Sequence, residues 1–198
     1  MRVIVGCEYS GVVRRAFRKL GHEAWSCDLL PSEDNSEFHI QGDIATVLSD
    51  GWELGIFHPP CTDIAVSGAA WFKEKIADGR QQAALDFVQR LMDAPIERIA
   101  IENPVSVIST KIRKPDQIIQ PWMFGHMEQK ATCLWLKNLP KLTETKNVKA
   151  EMMLLPKRER ERLHYLPPSP TRWKERSRTY PGIAEAWAAQ WGILQNSQ

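Results

Sequence analysis

Five short strand-type runs, each stopping at a polar or proline-bearing turn, constrain this chain more than any other feature. They are Val3-Ile4-Val5 before Gly6, Glu23 to Cys27 before Asp28, Phe38-His39-Ile40 before Gly42-Asp43-Ile44, Leu54 to Phe57 before His58-Pro59-Pro60-Cys61, and Arg98 to Ile101 before Glu102-Asn103-Pro104. Short, mostly apolar runs read as strands buried on both faces, as in parallel sheets. Between the first two lies a helical stretch, Val12 to Leu20, with Val13, Ala16, Phe17 and Leu20 on one face and Gly21 as its stop. A second helix, Gly79 to Met92, turns Ala84, Leu85, Val88, Leu91 and Met92 inward. Thr132 to Leu136 reads as a sixth strand, and Ile183 to Trp191 as a closing helix after Pro181-Gly182. The β-loop-α-β opening predicts an α/β fold: a doubly wound, mostly parallel, Rossmann-like sheet in a single domain.

Composition narrows the class. The 198 residues are 43% hydrophobic and 25% charged, which is globular and not disordered. No apolar run approaches the roughly 20 residues of a membrane span. The N-terminus opens as a strand and not as a signal peptide, so the expected location is the cytoplasm, bacterial or of a phage-infected host. A net charge of +2 neither diagnoses nor excludes a nucleic-acid binder. The four cysteines, Cys7, Cys27, Cys61 and Cys133, form no C-x-x-C pair, so free thiols and no metal are expected. Within 1–198, residues 1–140 read as a catalytic core, 141–180 as a short basic segment, and 181–192 as the closing helix. Lys157 to Arg178, interrupted by Pro167, Pro168 and Pro170, is expected to be irregular. Trp187 and Trp191 are expected to dock the closing helix into the core.

In a doubly wound sheet the strand-end turns lie along one edge, so residues distant in sequence line one cleft. Asp28, about 20 residues after a glycine-bearing first turn, suits a ribose diol. Asp43 could accept from an adenine amino group. Both are also ordinary turn residues. Two prolines stiffen the backbone before Cys61 and fix where its thiol points, making it a candidate nucleophile. Cys7, Cys27 and Cys133 fit buried, inert positions better. Glu102 at a strand end should be partly desolvated, which would raise its pKa and let it donate a proton to a ring nitrogen. Trp71, just beyond the proline turn, is a candidate base-contacting residue.

This order of a strand and glycine loop, Asp, Gly-Asp-Ile, Pro-Pro-Cys and Glu-Asn resembles the DNA (cytosine-5)-methyltransferases, in a compact form of phage or prophage type. The resemblance spans Val3 to Glu102, with Arg176 to Gly192 placed like the family's closing motifs. It implies the S-adenosylmethionine-dependent methyltransferase fold, S-adenosyl-L-methionine as cofactor, and catalysis by Cys61 as nucleophile and by the Glu102-Asn103 pair, of which Glu102 is the acid. The cofactor would be held by Glu8, Tyr9, Ser10 and Gly11, by Asp28 with Leu29 and Asp43 with Ile44, and by His58 and Pro59. The substrate would meet Pro60, Thr62, Trp71, Lys130, Thr132, Arg176 and Arg178. A cysteine after Pro-Pro favours carbon methylation over the nitrogen methylation that an aromatic residue there would serve.

The chain departs from the family in three places. Glu8 stands where the first glycine of the cofactor loop usually lies. The family's Gln-x-Arg-x-Arg element is echoed by Gln129-Lys130-Ala131-Thr132-Cys133, without an arginine, so Lys130 or Thr132 would substitute. A target-recognition domain is replaced by residues 141–180. The expected partner is therefore nucleic acid (DNA, single strands included) or a cytosine nucleotide. Two alternatives stay open: an enzyme modifying a free cytosine nucleotide or another nucleobase, and a catalytically silent, methyltransferase-like binding protein needing a separate subunit.

Overall fold

Alternation along the strands decides which side of the sheet each helix covers. The computed structural model describes residues 1–193. Its strands are β1 (Arg2–Gly6), β2 (Glu23–Asp28), β3 (His39–Gln41), β4 (Leu54–Phe57), β5 (Arg98–Pro104), β6 (Gln117–Ile119) and β7 (Thr132–Lys137). They form one sheet in the order β3-β2-β1-β4-β5-β7-β6. β1 to β5 pair in parallel, and β7 runs antiparallel to both β5 and β6. This is the expected single-domain, mostly parallel α/β architecture.

Val3, Val5, Leu54, Ile56, Ala100 and Leu134 point to one face. There they pack on Val13 and Phe17 of α1 (Val12–Lys19) and on Ile183, Trp187 and Trp191 near the C-terminus. Ile4, Phe57, Ile99, Ile101, Cys133 and Trp135 point to the other face, against Leu85, Val88 and Leu91 of a long helix after β4. Each large apolar side chain so buried contributes roughly 1.5–3 kcal/mol, and the period of two divides that contribution between the two faces.

The other helices are α2 (Phe72–Ala77), α3 (Arg80–Met92), α4 (Ile108–Lys111), α5 (Lys149–Met153), α6 (Lys157–Arg160), α7 (Arg162–Tyr165), α8 (Arg172–Ser177) and α9 (Pro181–Trp191). The basic segment expected to be irregular thus holds short helices. Pro156 caps α6 and Pro181 opens α9, positions where a missing N–H costs little. β5 continues through Glu102 and Asn103 to Pro104, further than the apolar run suggested, because β7 pairs with it along that length. β3 stops at Gln41. Asp43 is not a strand end but the cap of a 3-10 turn, Ile44–Thr46, accepting from the Ala45 N–H at 2.9 Å.

Strand order reverses between β1 and β4: β2 and β3 extend one way, β5 the other. Ligands bind in the crevice outside the carboxyl ends at such a point. Here its walls are residues 7–11 after β1 and 58–65 after β4.

Candidate active site

The β1 loop turns sharply. Cys7 has φ 58 and Gly11 has φ 66, the left-handed region. A side chain at Gly11 would also meet the Arg14 guanidinium. The turn buries Glu8, whose carboxylate accepts from the N–H groups of Val13 at 2.7 Å and Arg14 at 3.3 Å. Glu8 therefore caps α1, where the helix dipole favours a negative charge. Ser10 is buried beside it, its hydroxyl 3.4 Å from the same carboxylate. Tyr9 is buried and packs against Trp173 of α8, ring centroids 5.6 Å apart.

Asp28 ends β2, and Asp43 follows β3, beyond the β1 loop. One Asp28 oxygen accepts from the Leu30 N–H at 2.9 Å. Burial pushes the Asp28 carboxyl up. Both acids act on Cys7, whose thiol is pushed up to about 12 by burial first and then by Asp28, Cys27 and Asp43. Cys7 is thus an inert neighbour of an acid pair. Leu29 is exposed, next to Asp28, whereas Ile44 is buried in the core. Two carboxylates that both act on Cys7, with an exposed leucine beside one of them, are groups that could hold a diol, an amino group and an apolar ring. Glu8 takes the α1 N–H groups that an anionic end of such a ligand would otherwise use.

On the other wall, strand alternation does the positioning. His58 continues the Leu54–Ile56 side of β4, and Glu102 the Ala100 side of β5. The two meet, His58 Nδ1 lying 3.0 Å from Glu102 Oε2. The His58 ring stacks on Trp187, centroids 5.7 Å apart, and Trp187 stacks on Trp191 at 5.6 Å. Asn103, on the opposite face, donates to the Pro59 carbonyl at 2.9 Å. Pro59 is buried, Pro60 and Thr62 are exposed, and Cys61 is half-buried between them.

The charges differ from expectation. Burial pushes the Glu102 carboxyl up, but the His58 hydrogen bond and the Lys130 charge outweigh it, leaving it below its ordinary value. The expected rise is thus reversed, because the sequence does not show a histidine 44 residues away closing on the acid. Burial pushes the Cys61 thiol up, Glu102 adds to that, and Lys130 and Arg176 oppose it. The surroundings therefore do not activate the free thiol.

The basic segment reaches the same site. Lys130 Nζ donates to the Arg176 carbonyl at 2.9 Å. Arg178 pairs with Glu33 at 2.5 Å, and the Glu33 N–H bonds the Tyr9 carbonyl. Thr132 is buried at the start of β7, its hydroxyl 3.3 Å from the Lys130 carbonyl. Trp71 is 64% exposed, outside the core. Cys61, Glu102, Lys130 and Arg176 therefore converge, while Glu8, Ile44, Asn103 and Thr132 are tied into the scaffold.

Two residues escaped the sequence reading. Lys75 is buried, bonds the Thr62 carbonyl and lies 3.4 Å from Asp63, bracing the chain after Cys61. No local signal marks it. Trp173 covers Tyr9, and an aromatic residue between Arg172 and Lys174 was the available clue. A separate hollow of about 590 Å³, lined by residues such as Met92, Ile99, Trp135 and Asn138, holds none of the candidate residues.

No family model matches the chain, and no curated protein does. Among solved structures, 49 chains match. One is provisionally described as a DNA modification methyltransferase encoded within a prophage of E. coli, at 14% identity and a TM-score of 0.48, covering 79% of this chain and 56% of that one. The present chain thus spans little more than half the length of that neighbour. Among the described residues no group of three or more His, Cys, Asp or Glu is placed to hold a metal, and no helix is long and apolar enough to cross a membrane.

Proposed function

We propose that this protein is an S-adenosyl-L-methionine-dependent methyltransferase acting at carbon 5 of cytosine in DNA, through a covalent adduct of Cys61. One observation carries the reading: a thiol and a carboxylate stand at the ends of neighbouring parallel strands, β4 and β5, whose turns the Asn103–Pro59 hydrogen bond ties together. Carbon 5 of cytosine is not nucleophilic by itself. Addition of the Cys61 sulfur to carbon 6 moves the 5,6 electron pair into the 4,5 bond and the pair from the 3,4 bond onto nitrogen 3. The proton lost by the thiol and the proton gained at nitrogen 3 balance, with Glu102 as carrier. Before addition that proton resides on sulfur, because the thiol is held up and the carboxyl down. Bound S-adenosylmethionine would supply an electrophilic methyl group for the resulting enamine carbon, held by Asp28 and Asp43. Loss of the carbon-5 proton to water then restores the 5,6 double bond and expels the sulfur, which regains through Glu102 the proton that nitrogen 3 gives up. Lys130 and Arg176 take the place of the absent arginines, lowering the cost of negative charge on sulfur.

The substrate is a single strand or a cytosine nucleotide in preference to duplex DNA. The contacts of residues 141–180 with the body, Lys130–Arg176 and Arg178–Glu33, support a substrate that needs no reader of a groove. Extruding a base from a duplex costs a few kcal/mol, and an unpaired base avoids that cost. The test is transfer of labelled methyl from S-adenosylmethionine to single-stranded oligonucleotide, duplex and dCMP. Cys61→Ser should abolish transfer to all of them and still bind the cofactor. Transfer retained in that variant would remove the carbon-5 mechanism.

A further inference from the structure

The chemistry proposed for Cys61 and Glu102 does not use the imidazole of His58, yet that ring is one of the most constrained polar groups at the site. Its side chain is 9% exposed and that of Glu102 15%. Its backbone N–H bonds the Gly6 carbonyl at 3.0 Å, and the following Pro59 restricts residue 58 to extended backbone. Trp187 lies against its face with planes 30° apart. Nδ1 has Glu102 as its partner, whereas Nε2 is buried with no hydrogen-bond partner. The neutral tautomer that carries its hydrogen on Nδ1 satisfies both facts: the N–H donates to the carboxylate, and the bare Nε2 leaves no buried donor unmet.

We propose that His58 is a positioning residue for Glu102, fixing the carboxyl group by its bond to Oε2 so that Oε1 is left for the amino and ring-nitrogen edge of the substrate base. This rests on the cytosine reading above. Glu102 hangs from a strand and has rotatable bonds of its own. His58, clamped between the proline turn and Trp187, removes that freedom, and displacing a reacting group by about 1 Å costs on the order of 100-fold in rate. The charged and titratable groups that face the pair are Lys130, which lowers Glu102, together with Cys133 and Cys61 beside Glu102 and Asp28 beside His58.

The experiment compares His58→Ala, His58→Asn and His58→Gln in the whole protein, by kcat, by KM for S-adenosylmethionine, and by thermal midpoint. An asparagine amide sits near the Nδ1 position and a glutamine amide near Nε2. We expect alanine and glutamine to lower kcat by about 100-fold with KM for the cofactor within about threefold, and asparagine to recover to within about tenfold of the parent. Asparagine no better than glutamine at equal thermal midpoint, or alanine with unchanged kcat, overturns the assignment. Ring-nitrogen NMR gives a readout that needs no turnover: in the parent the ring hydrogen should reside on Nδ1 of His58, and a hydrogen on Nε2 also overturns it. If the parent methylates no cytosine substrate, the cytosine reading fails, and the ring-nitrogen spectrum alone then decides whether His58 holds Glu102 through Nδ1.

Discussion

The side-chain amide of Asn103 donates to the carbonyl of Pro59 at 2.9 Å, joining the end of β5 to the turn that carries Cys61. Both groups are buried, so neither has water as a substitute partner. Asn103→Ala should destabilise the fold by about 1–3 kcal/mol, the cost of a buried acceptor left unmet. Chemical denaturation measures this. An unchanged midpoint would mean that the proline turn holds itself in place.

Thiol reactivity should rank the cysteines and report the charges around Cys61. Its pKa is raised by burial and by Glu102 and lowered by Lys130 and Arg176, so alkylation should climb as pH rises above the ordinary thiol range near 8.5. Glu102→Gln should speed iodoacetamide labelling of Cys61 at pH 8, and Lys130→Met should slow it. Cys7 and Cys27, pushed by burial to about 12 and about 11, should label more slowly than Cys61. Peptide mapping after timed labelling decides the matter, and a slower Glu102→Gln variant would contradict the electrostatic account.

Stability should fall in acid through one carboxylate. Arg14 is 1% exposed in its side chain and pairs with Asp34 at 2.5 Å. Burial pushes the Asp34 carboxyl up, but Ser32, Arg14 and Arg15 outweigh it and hold it well below the usual range. A depressed folded pKa gives stability that is present above the unfolded value near 4 and is lost as pH falls through the folded value. Asp34→Asn should therefore lose about 2 kcal/mol at pH 7, a charged hydrogen bond to a buried guanidinium, and the gap should close as pH drops below 4. Equal loss at pH 3 and pH 7 would place the effect in packing.

Cofactor affinity should depend on the acid after β2. Asp28→Ala should weaken S-adenosylmethionine binding at least tenfold, about 1.4 kcal/mol, by isothermal titration, with no fall in thermal midpoint beyond about 2 °C. Binding absent in the parent protein would favour a silent, methyltransferase-like subunit over an enzyme.

The strands and their ends were legible because a strand buried on both faces is a near-continuous apolar run, and Asp28, Pro59 and Glu102 mark where each run changes. β6 was not legible: the three residues Gln117–Ile119 show no period, and only Ile119 is buried. The helices between 149 and 177 were hidden because Pro167, Pro168 and Pro170 read as breakers of the whole segment, whereas they lie between α7 and α8, and Pro156 caps α6. The candidate site was legible as a set of residues on one sheet edge. Its electrostatics were not, because the His58–Glu102 bond, the Lys130–Arg176 bond and the Glu8 cap join residues through the fold and leave no trace in spacing.

The central claim is that Cys61 attacks carbon 6 of a cytosine ring. Intact-mass spectrometry with S-adenosylmethionine and oligonucleotides carrying 5-fluorocytosine tests it directly, since fluorine at carbon 5 blocks the final elimination and leaves the protein attached. The account predicts a stable adduct that maps to Cys61, forms faster on single strands than on duplex, and is absent in Cys61→Ser. No adduct with single strand, duplex or fluorinated nucleotide, under conditions where S-adenosylmethionine binds, would contradict it.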